Sequence, residues 1–318
     1  MTAKQTNQTV TYVKKRSLWQ KIVANKVLLL FLVPGLIVML INNYLPMFGL
    51  SMAFKSMDNS LGMFKSPWAG FENFEFLFKS KDLWMSVRNT LLYNVFFIIA
   101  SVPLNAGLAI FLTEMCNRHA AKLYQTIFCI PYFISIIVVA AITNAFLSTR
   151  SGVLNNIIEA IGLDPVNWYS TPGPWPIILI IVYYWQQCGY GAIIYIATIT
   201  GFDPQIFEAA TVDGANRFQK IFYITVPMLK QTAVVMTILA LGGILNGHFG
   251  LFYQVPMNSP MLYPVTDTLG TYIYRSLTTV PDIGMTTAVS LLTSVVSCIL
   301  VVSVNLIVRH WDPDSALF

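Results

Sequence analysis

Charged residues are absent from six long stretches of this chain, 27–54, 89–113, 123–149, 165–202, 231–266 and 283–308. Each is long enough for a membrane-spanning helix, which needs about 20 mostly apolar residues. A helix satisfies its own backbone hydrogen bonds, as lipid requires. The pattern therefore predicts an all-α integral membrane protein with six spans, near 27–48, 89–112, 124–147, 176–198, 230–250 and 284–308. The two longest stretches also hold Pro, Gly and polar clusters, which assign part of each to loop. The competing reading, buried helices of a soluble protein, is disfavoured by six such runs in one chain.

Composition agrees. Of 318 residues, 56% are hydrophobic and 10% charged, whereas a soluble domain carries about 25% charged residues. This excludes an ordinary soluble enzyme and a disordered chain. The net charge of +5 does not point to nucleic acid, because the basic residues flank the spans. Six spans put both termini on one side. Segments 1–26, 113–123, 199–230 and 309–318 carry twelve Lys and Arg against six acidic residues, and the other connections carry seven against eight. Basic excess marks the cytoplasmic side, so both termini are expected inside. The basic head and first apolar run resemble a signal peptide, but the run is long and lacks a small-residue cleavage site, so a retained helix is expected. The chain then divides into a cytoplasmic tail, 1–26, a membrane domain, 27–308, and a second cytoplasmic tail, 309–318.

Little catalytic chemistry is visible. Cys116, Cys129, Cys188 and Cys298 have no metal-ligand spacing, and His119, His248 and His310 are scattered. There is no phosphate-binding Gly-Lys motif, so any nucleotide must bind another chain. No predicted span contains Asp or Glu, which disfavours a proton- or sodium-coupled carrier. No internal repeat supports an inverted-repeat transporter. A membrane enzyme acting on a lipid-linked sugar stays open as a second class. It needs a carboxylate at the membrane edge, and Glu114 or Asp267 could serve, though neither has a visible partner.

The cytoplasmic stretch 201–227 is the most informative. Asp203-Pro204 reads as a helix start, with Asp capping free N–H groups and Pro at the first helical position. Asp213-Gly214 reads as a stop, because Gly adopts positive φ at low cost. A second helix can run from Ala215 to Pro227. The slim Ala209 and Ala210 suit insertion into a partner's groove. An ordinary amphipathic connector is the alternative.

These residues carry a resemblance. Glu208-Ala209-Ala210, three residues, Gly214, nine residues, Ile224, one residue and Val226-Pro227 resemble the EAA loop of ABC-importer permeases, with Val226 where Leu is usual. The segments Pro67 to Phe74, Asn89 to Leu91 and Ile130 to Ser135 resemble the carbohydrate branch that contains the maltose permeases, and Asp267 to Arg275 resembles its polysaccharide-type members. The resemblance implies a type I ABC-importer permease fold in the plasma (inner) membrane of a bacterium. It implies a coupling helix, with Glu208 facing the partner, Gly214 making the turn, and Ala209, Ala210, Asp213 and Pro227 completing the motif. Implied partners are two ATP-binding subunits, a second and different permease chain, an extracellular or periplasmic sugar-binding protein, and membrane lipid. No cofactor is expected on this chain; ATP and Mg would bind the partner ATPase.

Sugars present hydroxyls and apolar ring faces, so they suit amides beside aromatic rings. Tyr183, Gln187 and Tyr190 fall three and four residues apart, on one helical face of span four. With Asn246 at the end of span five, they form the expected sugar-binding set. Helix-to-helix packing is the alternative role for each. Gly189 and Gly191 could admit either a helix or a ligand.

Overall fold

A computed structural model of the chain describes residues 24–58, 61–245, 247–279 and 283–311. The backbone divides into two compact units, the first ending at Ser51 and the second starting at Met52. In the first, α1 (Lys26–Met39) continues into a wide turn, Leu40–Tyr44, and then a tight helix from Leu45. No residue of α1 is buried within the chain. A helix apolar on all sides suits lipid.

The second unit holds α2 (Glu72–Lys79), α3 (Lys81–Thr113), α4 (Arg118–Cys129), α5 (Ile136–Leu147), α6 (Val153–Ala160) and α7 (Trp175–Thr200). It continues with α8 (Pro204–Val212), α9 (Arg217–Lys220), α10 (Lys230–Gly242), α11 (Phe249–Gln254), α12 (Leu269–Thr279) and α13 (Ile283–Trp311). Among the described residues, four helices are long and apolar enough to cross a membrane: Lys26–Phe54, α3, α7 and Ile283–His310. The count is six if each of two bent helix pairs is one crossing.

Those two pairs lie where spans three and five are expected, and each is bent. Arg118–Phe133 and α5 meet at 99°. The break lies at Ile134 and Ser135, both extended, with ψ 129° and 145°, just after Ile130–Phe133 tightens around Pro131, whose missing N–H removes a helical hydrogen bond. Span five ends at Gly242, short of 250. Gly243 leaves helical geometry and Gly247 takes φ +53°, before α11 starts afresh.

The core forms where α3, α5, α7 and α11 meet. Tyr93, Phe97, Val139, Trp175, Leu179 and Phe252 are buried together there. Before α3, Phe71 and Phe74 both pack on Phe54, while Phe78 meets Trp84. The phenylalanine stripe of 71–78 thus serves packing. Loop 148–175 is organised by buried Asn155. Its amide donates to the carbonyls of Thr149 and Val166, and its oxygen accepts from Val166 N and Trp168 Nε1.

Candidate functional site

The coupling segment is built from local signals. Asp203 accepts a hydrogen bond from Gln205 N at 3.0 Å, and Pro204 opens α8. The helix ends in a Schellman turn: Ala215 N donates to Ala210 O at 2.9 Å and Gly214 N to Thr211 O at 3.1 Å. Gly214 has φ +79°, so its lack of a Cβ is what the turn requires. Asn216 and Gln219 then cap α9 reciprocally. A wide turn at Ile221–Thr225, where Val226 N reaches Ile221 O, accommodates Pro227, and the helix bends by 48° before α10.

Glu208, Ala209, Asp213 and Gly214 are exposed, and Ala210 is partly so. Beside them Val212 is 88% and Phe218 71% exposed. Both are large apolar side chains that the rest of the described chain leaves uncovered. The loop is also pinned. Arg217 Nε pairs with Glu114 Oε2 at 2.7 Å, and Arg217 Nη2 donates to the Glu114 carbonyl just past the end of α3. A cation suits a helix C-terminus. Lys220 Nζ donates to Thr211 Oγ1 at 3.0 Å, which ties α9 back to α8.

The two carboxylates considered for catalysis both have partners. Glu114 belongs to the Arg217 pin. Asp267 is buried and accepts from Ser86 Oγ at 3.1 Å, Thr271 Oγ1 at 2.7 Å, and Arg275 Nη1 and Nη2 at 3.0 and 2.5 Å. Burial opposes the charge of Arg275, but hydrogen bonding and the field of Asp267 outweigh it and raise its pKa. Both carboxylates are thus engaged by arginines.

The residues chosen for sugar binding fall into different surroundings. Tyr183 stacks on Phe97 with centroids 3.8 Å apart and touches the His248 ring at 4.7 Å. It is therefore partly committed to packing. Tyr190 stacks on Tyr132 at 3.9 Å and 4°, yet stays 45% exposed. Gln187, between them on α7, has no hydrogen-bond partner among the described residues. Its neighbour Gln186, by contrast, donates to Ile134 O at 3.1 Å. Asn246 lies outside the described residues. His248, two residues on in the sequence and just before α11, meets Tyr183 of α7.

Both Tyr132 and His248 escaped selection. Tyr132 sits in the Ile130-Pro131-Tyr132-Phe133 patch, which carried the only hint, and His248 only two residues beyond Asn246. Gly189 and Gly191 admit neighbouring side chains and backbone. A Cβ on Gly189 would lie 1.9 Å from the Phe128 carbonyl oxygen, and one on Gly191 2.4 Å from Asn105 Nδ2.

Residues 83–315 match the family model of the binding-protein-dependent transport system inner membrane component. The chain is 33% identical over 290 residues to protein LplB of Bacillus subtilis, covering 91% of each. It is 30% identical over 301 residues to the polygalacturonan/rhamnogalacturonan transport system permease protein YteP of the same organism, covering 95% of this chain and 93% of YteP. Its fold matches a chain of a bacterial ABC transporter involved in import of the acidic polysaccharide alginate, with TM-score 0.84 and 34% identity, over 92% of this chain and 98% of that one. The chain is thus a multi-pass inner-membrane protein that belongs to the family of binding-protein-dependent transport system inner membrane components.

Proposed function

We propose that this chain is the permease subunit of an ATP-driven importer for oligosaccharides or polysaccharide fragments, forming half of the translocation path. It is a transport subunit, as its relatives are. The observation that carries the coupling role is the exposed α8 turn, pinned to α3 through Arg217 and Glu114. In this reading α8 docks in a groove of a cytoplasmic ATPase, with Glu208 and Val212 toward it. ATP-bound ATPase shifts the permease only if it binds the closed lever better than the open one. ATP and Mg are held by that partner.

The substrate reading rests on Gln187 beside the Tyr190–Tyr132 stack. A free amide next to an aromatic pair whose Tyr190 ring is exposed suits a sugar ring, with Tyr183, His248 and Asn246 completing the surroundings. The alginate transporter has been captured with an alginate pentasaccharide-bound periplasmic protein, which supports a binding protein as donor here. The excess of basic residues on 1–26, 113–123, 199–230 and 309–318 supports cytoplasmic termini. Two ATPase subunits and a different second permease complete the assembly. Mass spectrometry of the complex purified in mild detergent tests that composition; recovery of this chain alone overturns it.

The coupling test is sugar-stimulated ATP hydrolysis in the reconstituted complex. Gly214→Pro removes the N–H that bonds Thr211 O and cannot adopt φ +79°. It should insert normally and lose stimulation; undiminished stimulation refutes the lever. Gln187→Leu should raise the sugar concentration for half-maximal stimulation about tenfold, the value of one hydrogen bond of about 1.4 kcal/mol. An unchanged response removes Gln187 from the site.

A further inference from the structure

Arg88 lies near the N-terminal end of α3, where the charge-free run begins at Asn89. Its side chain is exposed. Nε and Nη2 donate to Asn89 Oδ1 at 3.3 and 3.0 Å, and Nη2 also donates to the Pro264 carbonyl at 3.1 Å. These acceptors are neutral, so among the described residues no carboxylate compensates the guanidinium charge, and Nη1 has no partner there. Arg275, by contrast, is already paired with Asp267.

A groove of about 370 Å³ opens beside Arg88, between α3 and α7. Leu92 and Phe96 line it, four and eight residues on from Arg88 and so on the same stripe of α3. Pro176 and Ile180, also four apart, line it from α7, and the buried Tyr93 contributes as well. Arg88 and Phe96 are separated by about 12 Å along the helix axis. The groove therefore follows the direction of two spanning helices, with a cation at its membrane-edge end and apolar walls toward the membrane interior.

We propose that this groove holds one anionic phospholipid, its phosphate on Arg88 and one acyl chain between α3 and α7. Arg matches phosphate oxygens through paired N–H donors, and Nη1 still has its donors to give. A zwitterionic headgroup would leave the arginine charge less well balanced. A helix of another subunit would bring apolar surface for the walls but needs an added acidic group to meet Arg88. Asn89 Nδ2 also binds the carbonyls of Pro264 and Asp267, so the lipid would sit on the junction between α3 and the Asp267 clamp.

The assembled transporter, delipidated and then exposed to phosphatidylglycerol or phosphatidylcholine, tests this by native mass spectrometry. Wild type should retain one phosphatidylglycerol per chain more than Arg88→Gln, with no such difference for phosphatidylcholine. A benzophenone side chain installed in place of Leu92, with Arg88 intact, should yield an adduct of phosphatidylglycerol mass. Equal retention by wild type and Arg88→Gln overturns the proposal. So does a benzophenone adduct to another protein chain, or the absence of any lipid adduct.

Discussion

The crossing of α4 and α7 at Gly189 gives a sharp test of the packing, and Gly189→Ala is the perturbation. An ideal Cβ there would stand 1.9 Å from Phe128 O, 2.2 Å from Phe128 C and 2.8 Å from Cys129 N. Ordinary contact starts at 3.4 Å, so the helices must part by about 1.5 Å, a large overpacking. All three obstructing atoms are backbone and cannot rotate away, which puts the cost near the upper end of the usual range, about 3 kcal/mol. Parting the helices also strains the Gln186–Ile134 hydrogen bond and the Tyr190–Tyr132 stack on either side, adding about 1 kcal/mol. Alanine's better helix propensity returns about 1 kcal/mol. The net loss is about 3 kcal/mol, or a fall in Tm of about 4–5 °C at about 2.1 cal/mol/K of unfolding entropy per residue. Gly107→Ala is the control, because nothing lies within 4 Å of its Cβ in α3; propensity alone should hold or raise its Tm. Thermal unfolding of both variants in mild detergent, followed by intrinsic fluorescence, makes the comparison. If the two Tm values agree within about 2 °C, the close approach of α4 to α7 is wrong.

Two further substitutions address buried polar clusters. Asp267→Asn leaves Arg275, which is 24% exposed at its side chain, without its carboxylate; the loss should be about 3 kcal/mol, and Asp267→Leu with Arg275→Met should recover part of it. A single variant as stable as wild type in denaturant unfolding contradicts the clamp. Asn155→Leu strands a buried carbonyl, an amide and the Trp168 indole N–H, at about 1–3 kcal/mol for each group left unpaired. Amide hydrogen exchange across 149–168 should accelerate while α7 stays protected, and unchanged exchange rules out Asn155 as the organiser of that loop.

What the sequence discloses follows from the range of each interaction. Lipid excludes charge along a whole span, so charge-free runs find the crossings without knowledge of any partner. The coupling turn is equally local: Asp203 caps two residues ahead, and Gly214 closes a turn whose bonds reach back no further than Ala210. Apolar count is blind to direction, however. Residues 123–149 carry no charge and read as one span, although the path turns by 99° at Ile134 and Ser135. Tyr132 stands in the tightened turn just before that break, and its ring meets Tyr190 of α7. The aromatic platform beside Gln187 therefore depends on a bend that hydropathy averages away. Asp267 shows the other limit. Its near partners, Thr271 and Arg275, stand four and eight residues on and fall on one helical stripe, so they were open to inspection. Ser86 reaches it across 181 residues, and no periodicity marks such a pair. A carboxylate that looked unpartnered, and so available for chemistry, proves to be the buried centre of a structural clamp once α3 and α12 are brought together.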